Sequence, residues 1–396
     1  MFINQFKDSF KQEWSLIKSS SFLVSSGIIS GLIATIFSIF LSRIFGPANF
    51  GIYKTAVAIA ATAAYLLDLG IKYLLPRYIA EFERKAQSHN IADIIEKTFA
   101  FKGIIATAVL LSFWFFGPKI ALIFFHSPDQ TTLIWPIMIL FTVIFFDISA
   151  PILLGFQNFK LIALSSVLIP LLHLLFGISL TFAFGIKGAL IGTALAFIVG
   201  NIPAIKFIFK KSLRTKKIRT FAFGAALKEY SIPAYFANIP TYVAILIIPL
   251  LSIFYQQTSI GFYSFSLSFY IAAQMVPVSL ANVMFPKIAQ LNGRKRHREA
   301  FETFKRINII YTPFVIIGSL AIIPLAHPIV KHLVPDFLPA VNMIKVQTIS
   351  ALFLGYFSIA TNYAIASNKL KMATYLNWVL SIIFVVLAFY VISLSK

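Results

Sequence analysis

The sequence predicts an all-α polytopic membrane protein: two parallel-repeat helical lobes in a V, with about eleven transmembrane helices. Three observations carry this. Eleven apolar windows are long enough to cross a bilayer, the basic residues between them gather on one side, and short motifs recur at an offset of about 210 residues. The 396 residues are 59% hydrophobic and 12% charged; a soluble domain carries roughly 25% charged residues. Such a chain cannot clothe itself in a wettable surface, which excludes a soluble enzyme. Its 43 Phe suit a lipid-facing exterior. The absence of Cys removes disulfides, thiolate metal sites, iron–sulfur clusters and cysteine catalysis.

A bilayer core of roughly 30 Å takes about 20 apolar residues per helix. The first-half windows are residues 21–45, 50–76, 99–125, 131–156, 161–184 and 188–209. Residues 231–286 contain no Asp, Glu, Lys, Arg or His and are long enough for two spans, with the turn at 255–259. Residues 307–326, 338–366 and 372–394 complete the set. Period-2 alternation is absent, which argues against a β-barrel. Ahead of the first span, Phe2, Phe6, Phe10 and Trp14 recur every four residues among Lys7, Lys11 and Lys18, so residues 1–18 read as an interfacial amphipathic helix rather than a signal peptide. The expected division is an N-terminal lobe at 19–209, a basic cytoplasmic linker at 210–228 and a C-terminal lobe at 229–396.

Charge sets the orientation. With the N-terminus cytoplasmic, one side of the membrane collects about 25 of the 34 Lys and Arg, including the runs at 210–228 and 294–306. The net charge of +21 therefore points to topology and anionic lipid headgroups, not to nucleic acid. Expected localisation is the cytoplasmic (inner) membrane.

The repeat aligns Phe50-Gly51-Ile52-Tyr53 with Ile260-Gly261-Phe262-Tyr263, Pro76-Arg77 with Pro286-Lys287, and residues 155–160 with 366–371. An offset of six spans preserves orientation, so the halves are parallel repeats, the plan of transporters that rock about a central site. Span 188–209 would map beyond residue 396. The second lobe is therefore expected to be incomplete, on a twelve-helix plan lacking the last.

Residues 41–53 (LSRIFGPANFGIY) resemble the first-loop signature of the polysaccharide (O-antigen type) flippases of the multidrug/oligosaccharidyl-lipid/polysaccharide exporter superfamily. Asp68-Leu69-Gly70 and Pro76-Arg77-Tyr78-Ile79-Ala80-Glu81 resemble the end of their second helix, and Gly261-Phe262-Tyr263 and Phe285-Pro286-Lys287 its second-lobe echo. The resemblance covers essentially the whole chain. It implies two lobes opening alternately to each side, and movement of a polyprenyl-diphosphate-linked oligosaccharide between leaflets. The seventh span departs from the pattern in lacking an acidic residue.

Charges inside spans cost roughly 2.5–3.5 kcal/mol on insertion scales and usually face a cavity or a partner. Arg43 and Lys54 flank the first outer turn and are candidates to bind diphosphate or acidic sugars, against snorkelling to the interface. Asp68 and Lys72, four apart, read as a local ion pair or one that breaks and reforms during rocking. Asp147 is a coupling carboxylate or a structural hydrogen-bonding group. Arg77 and Lys287 read as gate or topology residues, and His173 as packed core. Pro233, Pro240 and Pro249 make the seventh span the expected hinge. No metal is assigned to His327 and His332, and no cofactor motif or nucleotide-hydrolysis signature occurs. The expected partners are lipid-linked oligosaccharide, anionic membrane lipid and polysaccharide polymerase machinery. A lipid II-type flippase and a multidrug/cation antiporter are the alternatives within the superfamily. A membrane polymerase or glycosyltransferase is disfavoured because no outer loop is long.

Overall fold

The computed structural model describes residues 2–212, 221–237 and 239–394, with side chains from residue 25 onward except at scattered positions. The amphipathic face at Phe2, Phe6, Phe10 and Trp14 and the middle of the basic linker lie outside the described side chains. The described residues are helical with no strand. In chain order they form α1 (Phe2–Leu66), α2 (Ile71–Arg84), α3 (Ser88–Phe125), α4 (Ile134–Phe146), α5 (Ser149–Gly155), α6 (Phe159–Leu172), α7 (Ile178–Gly200) and α8 (Ile202–Ser212). After the linker come α9 (Phe223–Ala226), α10 (Ile232–Ala237), α11 (Ile239–Phe254), α12 (Gln257–Gly293), α13 (His297–Leu333), α14 (Val341–Ala366) and α15 (Leu370–Ser393).

Seven described stretches are long and apolar enough to cross a membrane. Two of them, Ser25–Leu66 and Phe159–Gly200, are 42 residues long and fold back on themselves. The reversals fall at Gly46 (φ 66°, ψ 176°) and Gly185 (φ 59°, ψ −138°), conformations that a side chain opposes. Lys54 Nζ reaches Ser38 Oγ at 3.2 Å across the first hairpin. Counting each hairpin twice, and adding the α9–α11 run and α12, gives eleven crossings among the described residues. This is a multi-pass membrane protein. Exposed Phe, Leu and Ile side chains such as Phe115, Phe182 and Ile317 face outward, as lipid requires.

α3, α12 and α13 have 38, 37 and 37 residues. At 1.5 Å per residue each is roughly 55 Å long, well beyond a bilayer core of about 30 Å. The excess lies at the end where their polar residues sit: 88–98, 287–293 and 297–306.

The repeat expected from sequence is present in the backbone. Non-glycine residues with positive φ recur at matching turns: Ala86 (54°) with Lys295 (58°), and Gln157 (53°) with Asn368 (57°). The repeat also sets the packing between halves. A Cβ at Gly51 would overlap the Gln257 carbonyl, and one at Gly261 would overlap the Pro47 carbonyl. Position 47 maps to 257 and 51 to 261, so the two contacts are one contact repeated about an axis between the lobes. Thr55 Oγ1 donates to Gln257 Oε1 at 3.0 Å in the same junction. Phe337, fully buried, is ringed there by Phe50, Phe262 and Phe265, with centroids 4.6–5.8 Å away.

In the first half, the α7–α8 span rests on the preceding spans through Asn201–Asp147, Gly200 against Ile169, and Phe197 on His173. At an offset of 211, Asp147, Ile169 and His173 become Ser358, Leu380 and Phe384. All three line a cavity of about 500 Å³ in the second half, among α12, α14 and α15.

Candidate functional site

The second span does not continue to residue 76 as its hydropathy suggests. α1 ends at Leu66, the chain turns through Leu69 (φ 47°) and Gly70 (φ 83°), and α2 starts at Ile71. Asp68 makes this interruption tolerable. Its Oδ2 accepts the Lys72 backbone N–H at 3.0 Å, capping the new helix. Its Oδ1 receives Lys102 Nζ from α3 at 2.6 Å, and both side chains are less than 10% exposed. Lys102 also donates to the Phe145 carbonyl at 2.7 Å, where α4 is about to break. Two carbonyls at the interruption are held from the seventh span. Ser231 Oγ donates to Leu69 O and Tyr235 OH to Leu66 O, each at 2.8 Å. These donors belong to the start of the seventh span, so its irregular end is seated on the break in the second.

This corrects one expectation. Asp68 does not pair with the Lys72 ammonium; it takes only the Lys72 backbone N–H, and Lys102 is its ionic partner. Lys102 lies 34 residues from Asp68 and is not among the candidates named from the sequence. The signal that could have singled it out is a Lys inside the third apolar window and an Asp inside the second, two charges whose insertion cost falls when they pair.

Lys72 is half-buried, and its Nζ lies over three tyrosine rings: Tyr242 of α11 at 4.4 Å, Tyr73 at 5.1 Å and Tyr65 at 5.8 Å. Arg77, one and a half turns on, is exposed, with its guanidinium 4.1 Å from the Tyr230 ring. Among the described residues neither cation has an ion pair. Glu81, four residues after Arg77, is engaged by Lys85, whose hydrogen bond holds the carboxyl below the usual carboxylate range. Two unpaired cations thus sit on tyrosine faces along the seam between the second and seventh spans.

The other candidates are dispersed. Lys54 is half-buried, with its ammonium on Ser38 and 5.1 Å over Phe50. Arg43 is exposed in line with Leu32, Ile36 and Phe40, at the end of an apolar face. Asp147 ends α4: Oδ1 accepts the Ser149 N–H at 3.1 Å and Oδ2 the Asn201 amide at 3.2 Å. It also lines a cavity of about 580 Å³ with Glu96, Thr142, Phe146 and Phe197. His173 is packed between Phe37 and Phe197. Lys287 is exposed at the far end of α12. Pro249 lies within α11, Pro233 follows directly on a π-turn at Leu227–Ser231 with the helix running on into α10, and Pro240 stands next to position 238, which lies outside the described residues.

The model of the family described as "Polysaccharide biosynthesis protein" matches residues 16–292. The chain belongs to this family. No curated protein sequence matches it. Among solved structures, it is similar to the lipid II flippase MurJ in an inward closed conformation: TM-score 0.71, 15% identity, 92% of this chain and 80% of that one. An inward-facing multidrug resistance MATE family transporter of the MOP superfamily gives TM-score 0.62 at 13% identity, over 95% and 99% of the two chains. A mutant of the Vibrio cholerae MATE transporter VcmN gives 0.60 at 17% identity, over 91% and 86%. At these identities the likeness establishes the fold: this member of the polysaccharide biosynthesis protein family has the architecture of the MATE- and MurJ-type helical transporters.

Proposed function

We propose that the chain is a flippase that carries a polyprenyl-diphosphate-linked oligosaccharide across the cytoplasmic membrane by alternating access, for surface polysaccharide synthesis. It works without a cofactor and is not an enzyme. One observation carries this reading: among the described residues Lys72 and Arg77 have no ion pair, in the seam between two spans that belong to different halves, while the nearby acids Asp68 and Glu81 are already engaged. Fixed cations on aromatic surfaces suit a diphosphate that must leave water, and the prenyl tail can stay in lipid along the apolar exterior. Lys54 and Arg43, nearer the other end, would meet the same head later in its passage. The basic run at 294–306 and the linker face the cytoplasm and anionic lipid, the N-terminus is cytoplasmic, and polymerase machinery receives the product.

In cells, Lys72→Gln and Arg77→Gln should each cut surface-glycan export by about tenfold, the scale of one lost charge-assisted contact. Normal export at normal protein level from the double variant would overturn the reading. A cation antiporter is favoured by one feature, the cavity holding Glu96 and Asp147. It requires Asp147→Asn to abolish efflux of a lipophilic cation; on the flippase reading that variant leaves cation tolerance unchanged.

A further inference from the structure

Asp68 and Lys72 have the i, i+4 spacing at which an acid and a base on one helix attract. At the edge of a bilayer a carboxylate should win a lysine against aromatic faces, because cation–π contacts give about 0.5–2 kcal/mol and leave the anion uncompensated. Yet the Lys72 ammonium lies on tyrosines, one of them Tyr242 from the other half. The difference is Lys102. It enters from α3, fills Asp68 Oδ1 at 2.6 Å, and is itself held by the Phe145 carbonyl and ring. Asp68 Oδ2 is taken by a backbone N–H. Each carboxylate oxygen already holds one donor and the charge is balanced by Lys102, so the Lys72 ammonium rests on the rings instead.

We propose that Lys102 is a positioning residue: by neutralising Asp68 inside the first half, it frees the Lys72 ammonium to bind the anionic, diphosphate-bearing head of the transported lipid. The inference rests on the flippase reading, since it takes Lys72 as the ligand-facing group. Lys102 itself is 2% exposed and never meets the ligand. Removing it lets Asp68 recapture Lys72. Removing Asp68 as well makes Lys102 dispensable.

The test uses the full chain in nanodiscs with farnesyl diphosphate as probe, and compares the wild type with Lys72→Gln, Lys102→Met, Asp68→Asn and the Asp68→Asn/Lys102→Met pair. Lys72→Gln and Lys102→Met should each weaken binding by about tenfold, and Asp68→Asn in the Lys102→Met background should restore it to within about threefold of wild type. Because the second substitution also repairs stability, affinities are compared at equal folded fraction, and a merely structural role leaves the folded Lys102→Met protein binding like wild type. Should Lys102→Met fail to fold, the pair is compared with Asp68→Asn alone. Equal affinity supports the proposal, and a deficit of about fivefold or more in the pair overturns it. Lys102→Met binding like wild type overturns it too. Unchanged binding by Lys72→Gln sinks the flippase assignment of Lys72 itself, a separate failure.

Discussion

Asp68 shows how much one side chain can carry. It caps α2, neutralises Lys102 and permits a break whose carbonyls anchor the seventh span. Deleting one member of a buried pair typically costs about 3–5 kcal/mol, because the other charge is left without compensation. Lys102→Met should therefore lower the thermal midpoint of the detergent-extracted protein markedly, and Asp68→Asn added to it should recover most of the loss. A fluorescence melt checks this. Gly51 and Gly261 act by lacking a side chain. Gly51→Val and Gly261→Val should separate the junction equally, because each puts a Cβ into the other half's carbonyl. The chain has no native Cys, so Thr55→Cys with Gln257→Cys gives a clean reporter. Cross-linking of this pair by a short bismaleimide should be rapid in the parent background and slower in either valine variant; a difference between the two valines would break the claimed equivalence.

Among the elements, the seventh span carries a π-turn at Leu227–Ser231 near its start. Two side chains there tie it to the second span. Ser231→Ala and Tyr235→Phe each leave a carbonyl of the second span without its donor, at about 1 kcal/mol apiece. Combined, they should speed amide exchange in 221–237 while exchange in α13 stays unchanged. Exchange rising equally in both helices would show global loosening instead. The prolines were legible as interruptions, but their role was not. Pro233 follows a π-turn, and only the coordinates show that Ser231 and Tyr235 on either side of it are tied to Leu69 and Leu66.

For the whole molecule, the repeat makes a topological demand. Gly51 meets Gln257 as Gly261 meets Pro47 only if the halves are the same way up. Residues 210–228 and 294–306 must then lie on one side of the membrane, with His126 and Gln256 on the other. Single Cys introduced at Ser212, Arg296 and Gln256 should react with an impermeant maleimide from one side, the same side and the opposite side respectively. Ser212 and Arg296 reacting from different sides would dismantle the two-lobe arrangement.

From the sequence alone came the helical class, the crossings, the parallel repeat and the family resemblance. These rest on apolar run length, loop charge and motif spacing, all properties of the chain in one dimension that lipid enforces locally. The basic and acidic residues inside spans were also legible as unusual, since their insertion cost marks them wherever they point. Pairing was not. Lys72 was the nearest base to Asp68 along the chain, but Lys102, 34 positions away, is nearer in space. Which cation is spent and which is free depends on how three helices pack around a broken one, and only the tertiary structure decided that.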